Sequence, residues 1–288
     1  MMKLYSITLL LLSVSAASGF VVMKSNVRTT RLLAIAIHRP PNQTHTLAPL
    51  RFPSPTTNTH TDTPTITTTP SDTTRTTTQS AHIKLGLVLA LNAGFVNGCC
   101  LSGLACAQAA SVAAVTASWT NAALALASGN MNQFQWFAQL IVSFLVGSAI
   151  SGYILSDPDQ LPTAPLGIGA LLLFAAALRQ SAPLGLSLCC MANGLQNSVT
   201  SSLTHNLCRT SHFSGVTSDI GTYVGQMLRG NRQNARKCRI FVGLTTCFAT
   251  GGGLAYWVAR RWGSVSLVLS AALYAGIVAL NQRGVIPS

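Results

Sequence analysis

Along the chain, apolar runs of about the length of a bilayer crossing alternate with short polar breaks, and this alternation begins only after a long polar stretch. Continuous apolar character covers residues 83–104, 134–155, 164–180, 183–203, 238–259 and 264–281. Each is close to the ~17–25 residues that a helix needs to cross the hydrocarbon core. The breaks are SDPDQLP at 156–162, RQSAP at 179–183 and ARRWG at 259–263. Two further segments, 105–131 and 209–230, have helical periodicity but are less uniformly apolar, so each fits a re-entrant, broken or short spanning helix. The expected fold is therefore all-α: a polytopic membrane helix bundle of six spans, with extra re-entrant or short helices.

The second half repeats the first. NAGFVNG at 92–98 aligns with ANGLQNS at 192–198, which pairs Gly94 with Gly194 and Asn97 with Asn197. ASGNMNQF at 127–134 resembles LRGNRQNA at 228–235, and SFLVGSAISGY at 143–153 resembles CFATGGGLAYW at 247–257. Two repeats of three spans, about 83–180 and 183–281, would sit upside down relative to one another. Inverted repeats with interrupted helices point to a transporter whose site lies between the halves. The alternative is a duplicated scaffold that transports nothing.

The residues before the first span read as targeting and linker. Residues 1–19 combine one Lys, an apolar core from Ile7 to Val14 and small residues ending in AASG, the pattern of a signal peptide. Residues 20–41 are basic, hydroxylated and free of acids, which is transit-peptide composition. A signal peptide followed by a transit peptide beginning with Phe20 resembles the bipartite targeting sequences of algae with complex plastids. A plastid membrane is one expected destination; another membrane reached by the secretory route is the other. Residues 42–80, rich in Thr and Pro, are expected to be a disordered linker, which leaves 81–288 as the membrane domain.

Composition agrees: charged residues are 8% of the chain, where soluble domains carry about 25%. The net charge of +13 suggests nucleic acid until its placement is considered. Lys3, Lys24, Arg28, Arg31, Arg39, Arg51 and Arg75 lie before the membrane domain, and Arg209, Arg229, Arg232, Arg236, Lys237 and Arg239 bracket or follow the stretch 211–230. Basic loops between spans fix topology, so no nucleic-acid partner is expected. The termini should face the positive side. The eight cysteines, including the pairs at 99–100 and 189–190, show no C-x-x-C and no zinc-like spacing with His, so they read as small hydrophobes. No metal and no cofactor is expected.

The candidate chemistry gathers in SHFSGVTSDIGTYVGQMLRG, 211–230, which holds Asp219, the only carboxylate side chain after Asp159 in a chain without Glu. On a helix, His212, Gly215, Asp219, Thr222 and Gln226 form one polar stripe, and Gly221 and Gly225 form a G-x-x-x-G spacing through which a second copy could approach. An acid inside a membrane segment is costly and suggests function. It could exchange a proton or hold a cation; equally, it could cap a helix or pair with Arg229 or Arg232. The amides Asn92, Asn97, Gln196 and Asn197 lie in apolar runs, where they could coordinate a polar solute or bond across helices.

MANGLQNSVT at 191–200 followed by RTSHFSGVTSDIGTYVGQMLRG at 209–230 resembles the YoaK family of small multi-pass membrane proteins of unknown function. The resemblance covers about 83–281 and rests on Gly194, Leu195, Gln196 and Asn197, then His212, Ser214, Gly215, Asp219 and Gly221. The family's first half usually carries Ala-Gly-Phe-Val-Asp and Thr-Gly-Asn; here they become AGFVN, with Asn97 in place of Asp, and Trp119-Thr120-Asn121.

Catalysis is not expected. Seven residues at ~1.5 Å rise put His212 and Asp219 roughly 10 Å apart along a helix, too far for a triad contact, and no hydrolase, metalloprotease or nucleotide-binding fingerprint is present. The reading is a secondary transporter or permease for a small polar or ionic solute, proton- or cation-coupled through Asp219. Asn97, Gln196, Asn197, His212, Ser214, Asp219 and Thr222 are the expected binding residues, and membrane lipids the surrounding partner. The alternative is a membrane scaffold or assembly protein.

Overall fold

The computed structural model describes residues 70–284 except 107, 156–162 and 180–181. The targeting segments, the linker up to residue 69 and the SDPDQLP break therefore lie outside the described residues. Eight α-helices follow one another: α1 (Pro70–Leu101), α2 (Val115–Ala127), α3 (Met131–Ile154), α4 (Thr163–Leu178), α5 (Ala182–Leu203), α6 (Phe213–Leu228), α7 (Ala235–Trp262) and α8 (Ser266–Gln282). A short 3₁₀ turn, Gly263–Val265, joins the last two, and there is no strand among the described residues. Helix α1 starts at Pro70, so the end of the stretch expected to be linker is helical.

Three helical stretches, Thr78–Leu101, Met131–Ile154 and Ala235–Gln282, are long and apolar enough to cross a membrane, and Thr163–Leu178 is a shorter apolar helix. This is compatible with an integral membrane protein. The segment 105–131 contains only the short helix α2, and 209–230 contains α6.

Close packing needs small residues where backbones meet, and glycines supply them. A Cβ at Gly94 would collide with the carbonyl of Phe248, and one at Gly251 with the carbonyl of Leu91; together these lock α1 onto α7. In the same way, Gly194 lies against the carbonyl of Phe144 and Gly147 against that of Met191, which locks α5 onto α3. Both pairs run parallel: along α1 and α7 the contacts advance from Leu87–Gly243 to Gly98–Ala255. Along α3 and α5 they advance from Gln139–Ser187 to Ser148–Gly194.

Other pairs run antiparallel. His82 bonds the carbonyl of Leu203, while further along α1 Asn92 meets Gln196, so α1 and α5 run in opposite directions. Gly169 lies against Tyr274 and Ser264 donates to the carbonyl of Ala177, so α4 and α8 do the same. The principal core, with Leu89, Val96, Leu173, Leu195, Leu267 and Tyr274 among its members, sits among α1, α4, α5 and α8.

Candidate functional site

At the centre of the bundle sits an amide. Gln196 is 0% exposed, on α5. Its Oε1 accepts from Asn92 Nδ2 of α1 at 3.3 Å and from the Tyr274 hydroxyl of α8 at 2.5 Å. Its Nε2 donates to the carbonyl of Leu89 at 2.8 Å. One side chain thus ties three helices together, which an amide in an apolar interior must do to satisfy its polar atoms. Interhelical bonds in membrane proteins contribute about 0.6 kcal/mol each on average. Gln196→Leu, which removes all three, is expected to lower stability by about 2 kcal/mol, and Tyr274→Phe, which removes one, by about a third of that. Detergent-titrated unfolding checks both values.

Two asparagines hold the chain where it turns back after α1 and after α5. Asn97 Oδ1 accepts from Ser111 Oγ at 2.9 Å, Val112 N at 2.9 Å and Ala113 N at 3.1 Å, which fixes the approach to α2. Asn197 Oδ1 accepts from Ser211 N at 3.2 Å, which fixes the approach to α6. In each case the partner lies fourteen residues further along the chain. The two short helices also end alike. Asn130 N donates to the carbonyl of Ala125 across Gly129 at φ +73, and Asn231 N donates to that of Gln226 across Gly230 at φ +86. Both are six-to-one closures around a glycine in the left-handed region. Asn97 also lines an open groove of about 350 Å³ between α1 and α7, with Gly94, Gly98, Phe248, Gly252 and Tyr256.

Helix α6 runs antiparallel along α7. The Phe213 ring meets Phe248 at 4.1 Å between centroids, Tyr223 meets Phe241 at 6.0 Å, and Asn234 Nδ2 donates to Gln226 Oε1 at 2.9 Å. Its first residue is therefore level with Phe248, the middle of α7. Val216, Ile220 and Tyr223 turn toward a second, smaller core with Cys208, Phe241 and Leu244. The opposite face, with Ser214, Thr217, Ser218, Asp219 and Thr222, is exposed on the chain. His212 stands just before the helix and is exposed; its ring packs over Gly215, where a Cβ would collide with Nε2. Asp219 lies inside α6 and so caps no helix, and among the described residues it forms no ion pair with Arg229, Arg232 or any other cation.

The seven expected binding residues thus fall into three groups. Gln196 is buried in the bundle with its amide engaged, Asn97 and Asn197 brace the two turns, and His212, Ser214, Asp219 and Thr222 share the α6 region. Sequence reasoning missed Tyr274, which sits in an apolar run and shows its polar role only through Gln196. It also missed a convergence of thiols: Cys100 of α1, Cys106 of the following turn and Cys189 of α5 are all buried, with their sulfurs within 4.8 Å of one another. Paired cysteines at 99–100 and 189–190 hint at it, but their offset is not that of the repeat.

No curated protein and no solved structure matches this chain. One protein family, described as a protein of unknown function (DUF1275), matches residues 85–280, an extent compatible with the YoaK resemblance. The matched region contains the paired glycines, both asparagine braces and the α6 stripe, and with most of its length covered the chain belongs to the DUF1275 family of proteins of unknown function.

Proposed function

We propose that the chain is a secondary transporter or permease for a small polar or ionic solute, coupled to a proton or cation through Asp219, and not an enzyme. The observation that carries this reading is the position of Asp219. Helix α6 starts level with the middle of α7, and six residues at ~1.5 Å per residue put Asp219 about 9 Å from that level. Half the hydrocarbon core is ~15 Å thick. A carboxylate at that depth, on a face with Ser214, Thr217, Ser218 and Thr222, cannot be left against lipid tails. It needs water or another protein.

Six spans arranged as two inverted repeats form the frame for this reading. Support comes from the alternating directions of α1, α3, α4, α5, α7 and α8, each reversed relative to the one before. Within the 48 residues of Ala235–Gln282, which would stretch to about 72 Å as one rod, Gly263 breaks the helix and α8 returns alongside α4. The matched pairs Gly94–Phe248 with Gly194–Phe144, the twin asparagine braces and the twin glycine closures support the repeat. Equivalent helices α1 and α5 are antiparallel, as inversion requires. Helices α2 and α6 are then the re-entrant elements, and such broken helices are where transporters place their sites.

A second reading keeps the depth of Asp219 but covers it with another copy of the chain, making a scaffold. It is favoured by Gly221 and Gly225, where an added Cβ meets nothing within 4 Å. The two readings separate in a thermal-shift screen of the detergent-purified full chain against metabolites and ions, repeated with Asp219→Asn. A ligand of the folded state raises stability by about 2.7 kcal/mol at a roughly hundredfold excess over its Kd. Transport predicts a hit that vanishes in the variant. The scaffold predicts no hit, with Asp219→Asn shifting the oligomer to monomer in light scattering.

A further inference from the structure

Away from α2 and α6, the bundle holds a cluster of three buried thiols. We propose that Cys100, Cys106 and Cys189 form a three-sulfur site for a soft metal ion, Cu(I). The three come from three separate elements, and the chain makes a specific turn to bring the third one in. After α1 ends at Leu101, Gly103 takes φ +68, its N–H returns to the carbonyl of Cys100, and Ala105 N returns to that of Cys99. That turn lays Cys106 Sγ at 3.9 Å from Cys100 Sγ. Cys189 arrives from α5, whose antiparallel register with α1, set by His82–Leu203 and Asn92–Gln196, places it opposite Cys100.

The donor set selects the ion. Among the described residues no His or carboxylate joins the cluster, so every ligand is a thiolate sulfur. Structural zinc sites close with four ligands and prefer a tetrahedron. Three sulfurs in a buried, apolar setting suit a d¹⁰ ion of low coordination number, and soft thiolates select Cu(I). The ion has a route in, because Ser102 and Leu104 on the same turn are exposed. A cysteine that serves only as a small hydrophobe has no need of two others at this separation.

The test titrates Cu(I) into the reduced, detergent-purified full chain in competition with the chromophoric chelator bicinchoninate. The expected result is one Cu(I) withdrawn per chain, with a sulfur-only first shell in copper X-ray absorption. Cys106→Ala, in a turn rather than a helix, is expected to fold with an unchanged melting curve and, losing a direct ligand, to bind more weakly by at least the ~10–100-fold that loss of a supporting group costs. Cys247→Ala, on α7 and outside the cluster, is expected to bind as the wild type does. Wild-type affinity in Cys106→Ala would overturn the proposal. So would failure of the wild type to compete with the chelator, or a Cys100–Cys106 disulfide recovered from native membranes with no copper taken up.

Discussion

Proteoliposomes carrying Asp219→Asn are expected to lose proton- or cation-coupled flux completely, while the variant folds and inserts as the wild type does. The loss of flux follows from the proposed function, and the intact fold from the structure. Among the described residues Asp219 has no ion pair, so removing its charge strands no partner. The substitution should therefore stay within the ~0.5 kcal/mol typical of exposed positions. On the proposed reading Asp219 is the one acidic side chain that α6 carries to hydrocarbon depth, so it is the one anionic group there able to hold a cation, with His212 the neighbouring group that can also exchange a proton. The check is a pH-sensitive dye inside the vesicles, read after an imposed ion gradient, alongside melting curves of both proteins. Equal dye responses would remove Asp219 from coupling.

Gly94→Val is expected to prevent accumulation of folded protein, and Gly194→Val to do the same. At both positions the obstacle is a carbonyl on the facing helix, Phe248 or Phe144, and not the end of a flexible side chain. Backbone can make room only if two helices separate along their length. Overpacking costs about 1–3 kcal/mol even where side chains can repack, so an alanine at either site should reach the upper end of that range and a valine exceed it. Gly221→Ala is the internal control: an added Cβ there meets nothing within 4 Å, so the monomer should be unaffected. Size-exclusion profiles of Gly94→Val, Gly194→Val and Gly221→Ala check this. The two deleterious glycines occupy matching places in the proposed repeats, and equal penalties at both would be the energetic signature expected of such a repeat.

Much of this arrangement can be read from the residues. The apolar runs match α3, α4, α5, α7 and α8 to within a few residues at each end, because an apolar run has little freedom but to be a helix across its length. The alignment of NAGFVNG with ANGLQNS anticipates the paired glycine contacts, since Gly in an apolar helix is costly unless a backbone approaches it. Period also puts Asp219 and Thr222 on one face of α6, but His212 stands before the helix and Gln226 turns to Asn234, and Ser214, Thr217 and Ser218 complete the exposed face instead. What a linear reading cannot supply is direction and partner. It leaves open whether Asp219 pairs with Arg229 or Arg232; the helix carries both beyond its end at Leu228, and no ion pair forms among the described residues. Nor does it reveal that Gln196 spends its amide on Leu89, Asn92 and Tyr274, because those contacts cross three helices. The cysteine cluster is hidden for a similar reason: Cys106 joins it only through the turn at Gly103.

On the proposed reading, the outer face of α6 meets water inside the hydrocarbon layer. Spin labels placed singly at Ser214, Ser218, Asp219 and Thr222 in the full chain, reconstituted in lipid, test it through collisions with oxygen and with a water-soluble nickel chelate. Nickel accessibility that exceeds oxygen accessibility at Ser218 and Asp219, with the reverse at Leu145 of α3, an exposed apolar site, is the result expected of a water-lined crevice. Oxygen-dominated collisions along that face, or low accessibility to both reagents as at a contact between two copies, would contradict it.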